Sequence, residues 1–136
     1  MKFYFGKESM ENYHTLTPKL QKVAWLTLGL GLMDFSIICG HRGEFKQTRA
    51  FNEGKSKVAW PHSKHNSFPS KAMDCVPYIA EELSWNKFHC CVLAGLILAV
   101  AKLNGIKLRW GGNWDMDSEP ITDQDFQDLC HFEEVD

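Results

Sequence analysis

Apolar positions first fall into a helical rhythm after Thr17-Pro18. Leu20, Val23, Ala24 and Leu28 recur three and four residues apart, with Thr27 on the same face. A threonine side chain accepts from free backbone N–H groups and proline suits the first helical position, so the pair predicts a helix start. Gly29 and Gly31 weaken its end. Phe35 to Cys39 is rich in strand formers and stops at Gly40. Residues 43–52 predict a short helix ahead of Gly54, and residues 55–71 an irregular stretch broken by Pro61 and Pro69. A short strand follows over Ala72 to Val76, bounded by Pro77. Ser84 reads as the cap of a long helix reaching about Leu103, apolar on nearly every face at its centre and so expected to be buried. Asn104-Gly105 ends it. Ile106 to Trp110 reads as a strand, residues 111–122 as an acidic loop, and His131 to Val135 as a last short strand. Helices and strands mix without a βαβα alternation, which predicts an α+β fold, a small antiparallel sheet packed with helices. No repeat or linker divides residues 1–136, so a single domain is expected, with no separate wall-binding unit.

Composition narrows the functional classes. The chain has 136 residues, 44% apolar and 24% charged, enough to bury a core without disulfide staples. A net charge of −2 gives no general attraction to nucleic acid, and Lys55, Lys57, Lys64 and Lys71 read as exposed loop lysines. The most apolar run, Cys90 to Ala101, is well short of the ~20 residues that span a bilayer, so no stable membrane insertion is expected. The N-terminal residues lack the apolar stretch of a signal peptide, which predicts synthesis in a cytoplasm. Cysteines stand at 39, 75, 90, 91 and 130. An odd number with no CxxC pair argues against a disulfide framework or a thiolate zinc ribbon, and for reduced, mostly buried thiols.

Candidate chemistry lies in two histidine–acid neighbourhoods. His65 sits in the irregular stretch, with Asp74 following it. His131 is preceded by Asp128 in an Asp-x-x-His pattern and followed by Glu133. Two imidazoles and a carboxylate suit a catalytic zinc that keeps a fourth position open. A nearby unligated carboxylate then serves as general base, and by spacing Asp128 takes that role. Spacing alone is a weak signal, because scattered His and Asp residues occur in most proteins.

Longer motifs add weight. Ser63-Lys64-His65-Asn66 and Pro69-Ser70-Lys71-Ala72-Met73-Asp74-Cys75-Val76-Pro77-Tyr78 resemble the first metal motif of the VanX/VanY-like zinc peptidases. The resemblance is nearest to the branch that includes phage L-alanyl-D-glutamate endopeptidases. Leu108-Arg109-Trp110-Gly111-Gly112-Asn113-Trp114-Asp115 is similar to that branch's Trp-Gly-Gly-x-Trp segment. Asp128-Leu129-Cys130-His131-Phe132-Glu133 is similar to its closing motif, in which an acid precedes the last histidine ligand by three. Phe5-Gly6-Lys7 and Ile37 to Arg42 also look similar, so the motifs run in order along nearly the whole chain.

The resemblance implies the zinc fold of D-Ala-D-Ala peptidases and hedgehog domains, with one zinc held by His65, Asp74 and His131. It implies that Asp128 takes the proton of the attacking water and that Arg42 binds substrate or stabilises the oxyanion. Glu133 would orient a ligand histidine, as metal-bound imidazoles usually need, or stand as a solvated strand carboxylate. The implied protein is a monomeric phage endolysin. It would cut the L-alanyl-D-glutamate bond of the peptidoglycan stem peptide after the host membrane is permeabilised. Cys39 and Cys130 depart from the family pattern, and Cys130 stands where it could compete for metal.

Rival readings remain at this stage. One is a D-alanyl-D-alanine carboxypeptidase or dipeptidase of the same family, another a non-catalytic peptidoglycan-binding relative. A thiol hydrolase using Cys39 or Cys91 has no ordered base and orienter behind it. Asp115, Asp117 and Glu119, with Asp123 and Asp125, offer alternating oxygen ligands for calcium but lack the glycine and closing glutamate of an EF-hand loop. A solvated acidic loop is the preferred reading there. Trp60, Trp110 and Trp114 are candidates for a substrate groove, with at least one expected in the core.

Overall fold

In the computed structural model, which describes residues 1–136, four helices and five strands follow one another along the chain. They are α1 (Lys7–Tyr13), α2 (Pro18–Gly29), β1 (Phe35–Cys39), α3 (Glu44–Asn52), β2 (Ala72–Ile79), β3 (Glu82–Leu83), α4 (Lys87–Leu103), β4 (Leu108–Gly111) and β5 (Asp128–Glu134). A 3-10 turn covers Lys64–Asn66. The sheet is antiparallel in the order β1-β2-β5-β4, with β3 paired to β2.

Alternation along the strands separates two faces. Phe35, Ile37, Met73, Cys75, Leu108, Trp110 and Phe132 enter one core with Leu20, Val23, Leu93 and Ile97 of α2 and α4. Their neighbours Asp74, Arg109, His131 and Glu133 therefore project from the other face. Across β2 and β5, Asp74 stands opposite His131; across β4 and β5, Arg109 stands opposite Glu133. Helices α2 and α4 cover the apolar face and leave the polar one for chemistry.

The caps and boundaries refine the sequence expectations. Thr17 does cap α2, accepting from Leu20 N–H, with Pro18 first in the helix. The cap of α4 is Asn86 rather than Ser84: its Oδ1 takes Phe88 N–H and His89 N–H at 2.9 and 3.3 Å. Ser84 instead meets His89 Nδ1 at 2.6 Å. Nor is α4 wholly buried. It lies on the surface, burying Cys90, Leu93, Ala94, Ile97, Val100 and Ala101 and exposing Phe88, Val92 and Leu103. Pro77 does not end β2, because Tyr78 beside it still donates to Asp34 O and the strand runs on to Ile79. The irregular stretch is interrupted only by the 3-10 turn that carries His65.

Two elements carried no hydrophobic signal. Helix α1 buries only Ser9. Ser9 Oγ and Asn12 Nδ2 take the N–H and C=O of Ile37, which closes the outer edge of β1. The β2–β3 hairpin turns through Ala80 and Glu81 at positive φ, without the glycine or asparagine that would announce it. All five cysteines are unpaired; Cys75 and Cys90 are buried and the other three half-buried, so burial is less general than expected.

Candidate active site

His65 is presented by its own short turn. Ser63 Oγ accepts His65 N–H and Asn66 Oδ1 accepts Ser63 N–H, a reciprocal cap that fixes the backbone. The imidazole is 2% exposed, and its Nδ1 faces the Gly40 carbonyl at 2.7 Å. A carbonyl only accepts, so Nδ1 carries a proton, and in the neutral imidazole that leaves the Nε2 lone pair for a metal. Gly40 can bring its carbonyl there because it has no Cβ. One would lie 2.3 Å from Thr15 Oγ1 and 2.8 Å from Asn12 O.

His65 Nε2 meets two partners. It lies 3.2 Å from Asp74 Oδ1 and 3.3 Å from His131 Nδ1, and His131 Nδ1 lies 3.2 Å from Asp74 Oδ1. Three donor atoms thus form a nearly equilateral triangle. In a tetrahedral site the edge is ~1.6 times the bond, so zinc bonds of ~2.0–2.1 Å give edges of about 3.3 Å. The residues fit such an ion. Glu133 Oε1 accepts from His131 Nε2 at 2.8 Å, and Arg109 Nη2 donates to Glu133 Oε2 at 2.7 Å. Both imidazoles therefore have their second nitrogen satisfied, as ligating histidines require.

Cys39, His65 and Asp74 also lie close enough to form a metal-ligating group. The Cys39 sulfur, however, lies 3.7 Å from His65 Nδ1, the nitrogen already occupied by Gly40. The face that presents Nε2 is completed by His131, so the histidine–aspartate–histidine triangle is the better donor set.

Electrostatics describe the metal-free cluster. Burial pushes both imidazoles down, but Asp74 outweighs it: His65 is raised to about 10, and His131, with Glu133 also helping, to about 9. Burial works against ionised Asp74 too, yet the two imidazoles hold its carboxyl well below the usual range. Against its own burial, Glu133 is lowered to about 2 by His131 and Arg109. A bound cation takes the place of such ligand protons.

The remaining residues sit around this triangle. Asp128 is half-buried on β5, and burial followed by the charge of Asp74 raises its pKa, as suits a proton acceptor. The Cys130 thiol donates to Asp128 Oδ1 at 3.4 Å. In the metal-free protein burial, then Asp74 and Asp128, push that thiol far up. Arg42 Nη2 lies 3.6 Å from Asp74 Oδ2. Trp114 packs 5.6 Å from the His131 ring and stacks on Phe126, whereas Trp110 belongs to the core and Trp60 is half-buried in the loop. Gly111 lets β4 close on β5, since a Cβ there would lie 2.0 Å from Asp128 O.

The structure brings together every candidate ligand, Asp128, Arg42 and Glu133. In the acidic loop the residues that come together are not the three named as candidates for calcium. The carboxylates of Asp115, Asp117 and Asp123 gather in the open, and Glu119 stays outside, contributing only its N–H to Asp117. Arg109, Gly40 and Gln47, the last considered below, escaped sequence reasoning. Arg109 lay inside a quoted motif, but only the strand register aims it at Glu133.

Asp74 and His131 on the sheet face and His65 from the 3-10 turn, beside Asp128 and Arg42, match the donor set of single-metal hydrolases. The chain belongs to the phage L-alanyl-D-glutamate peptidase family, whose model matches residues 1–135. It is 34% identical over 116 residues to the L-alanyl-D-glutamate peptidase of Escherichia phage T5, covering 85% of this chain and 84% of that one. It also superposes on the crystal structure of the Serratia marcescens L-Ala D-Glu endopeptidase ChiX, with a TM-score of 0.78 and 26% identity over 97% of this chain and 90% of that one.

Proposed function

We propose that this chain is a zinc-dependent endolysin that hydrolyses the L-alanyl-D-glutamate bond of peptidoglycan stem peptides. In this reading His65 Nε2, Asp74 Oδ1 and His131 Nδ1 hold the ion. The triangle of those atoms, with edges of 3.2–3.3 Å, carries the proposal. When bound, zinc supplies a Lewis acid that polarises the scissile carbonyl and makes an attacking water more acidic. Asp128 takes the proton of that water and returns it to the leaving amine. Arg42 offers fixed N–H donors to the oxygen on which negative charge develops. Glu133, braced by Arg109, keeps His131 in the tautomer that leaves Nδ1 free. Trp114 forms one wall beside His131.

No helix is long and apolar enough to cross a membrane. By resemblance to the phage branch, the proposal is of a monomeric, single-domain enzyme made in the host cytoplasm and reaching the wall once the membrane is breached. Calcium has no assigned part in it.

The test is hydrolysis of purified peptidoglycan, with mass analysis of the fragments, before and after zinc removal and restoration. Zinc-dependent appearance of a new D-glutamate N-terminus is expected. Release of free D-alanine instead would move the activity to a D-alanyl-D-alanine carboxypeptidase, and zinc binding without any cleavage would leave a non-catalytic relative.

A further inference from the structure

Helix α3 has no apolar anchor. Its one buried residue is Gln47, wholly enclosed, while Phe45 and Phe51 on the same helix are exposed. A surface helix ordinarily docks through an apolar stripe. Here that task falls to an amide whose bonds lead towards the active site.

Gln47 Oε1 accepts from Arg42 Nη1 at 3.0 Å and from Asn66 Nδ2 at 3.1 Å. Its Nε2 donates to Val58 O at 2.6 Å and to Ser56 Oγ at 3.0 Å. A guanidinium can only donate and a carbonyl can only accept, so the orientation of the amide is forced and its bonding capacity is used up. The same partners tie back to the ligand turn. Arg42 N–H donates to His65 O at 2.7 Å, and Asn66 Nδ2 also reaches Arg42 O at 3.0 Å.

The contacts of Arg42 rank clearly. Its distances to Asp74 Oδ2 and to the Cys39 sulfur are both 3.6 Å, so the amide of Gln47 is its short side-chain contact. A long arginine side chain keeps one aim only where a fixed partner holds its tip. A buried amide with no spare bond is such a partner.

We infer that Gln47 is a positioning residue for the hydrolysis, holding the Arg42 guanidinium beside Asp74 where the oxyanion of the cleaved peptide bond forms. This rests on the role given to Arg42 above. Gln47 itself touches neither metal nor substrate, and its effect on turnover runs through Arg42.

The experiment is a double-mutant cycle on the full-length zinc enzyme, with a stem peptide as substrate. Gln47→Met keeps the length of the side chain and removes its hydrogen bonds. It is expected to lower kcat/KM about 100-fold, mostly in kcat, because misplacing a catalytic group by an ångström costs on that order. Zinc affinity, read by chelator competition, should fall by much less than kcat/KM, since Gln47 makes no hydrogen bond to a proposed ligand side chain. In the Arg42→Ala background the same substitution should cost less than about threefold, there being nothing left to aim. If Gln47→Met fails to bind zinc, the cycle is run from Gln47→Asn, which keeps the amide but shortens its reach to Arg42 and is likewise expected to lower kcat/KM in the wild-type background and not in Arg42→Ala. Wild-type rates in Gln47→Met, or an undiminished loss in the Arg42→Ala background, overturn the inference. Arg42→Ala at the wild-type rate would overturn the role of Arg42 as well, which separates the two failures.

Discussion

Asp74 Oδ1 closes two sides of the donor triangle while Oδ2 faces Arg42, so one carboxylate binds the strands and the ligand turn together. Asp128 stands apart from that arrangement and should be separable from it. Asp128→Ala is expected to keep zinc and fold while kcat falls by about 10²–10⁴, the usual worth of a general base. His65→Ala should lose the metal too, as metal analysis after gel filtration would reveal. Near wild-type turnover in Asp128→Ala would remove the base from this account. Glu133→Gln, which loses the charge facing Arg109, should weaken zinc binding about 10–100-fold, measured against a competing chelator. The proposed ligands, Asp128 and Arg42 could be picked out as candidates because they lie in motifs contiguous in sequence. Gln47 and Gly40 were not, since each acts on a residue that only folding brings near.

At the scale of elements, patterning was informative where an element has one apolar face. Strand β1 falls at the expected residues, and α2 begins at the expected cap. Patterning failed at α1, which docks through the polar Ser9 and Asn12; α3 falls where a short helix was expected, but its docking through Gln47 was not foreseen. For α4 it overstated burial, because apolar residues on its outer face remain exposed. The close approach of β4 to β5 yields a prediction at this scale. Gly111→Ala would place a Cβ 2.0 Å from Asp128 O, against backbone that cannot give way cheaply. A loss of about 1–3 kcal/mol in denaturant-measured stability is expected, with a fall in turnover as Asp128 shifts. Unchanged stability would mean that the two strands part more readily than this register implies.

The whole molecule answers to pH through the buried ionic cluster. In the metal-free protein, His65 and His131 titrate near 10 and 9, above their ordinary 6.5. Their contribution to stability is therefore complete below pH 6.5 and is lost as pH rises through 9 and 10. Glu133 titrates near 2, below its ordinary 4.5, so its contribution is present above 4.5 and is lost as pH falls towards 2. Thermal melts in chelator should peak between these limits. Zinc displaces the imidazole protons, so the Tm gain on adding zinc should be larger at pH 8 than at pH 6. A gain that shrinks with rising pH would contradict this cluster as the binding site.

The account turns on which atoms hold the ion, and zinc X-ray absorption of the wild-type enzyme reads that directly. Nitrogen and oxygen scatterers at about 2.0–2.1 Å with none from sulfur are expected from His65, Asp74 and His131. A sulfur shell at about 2.3 Å would put Cys39 or Cys130 on the metal and contradict the site as derived.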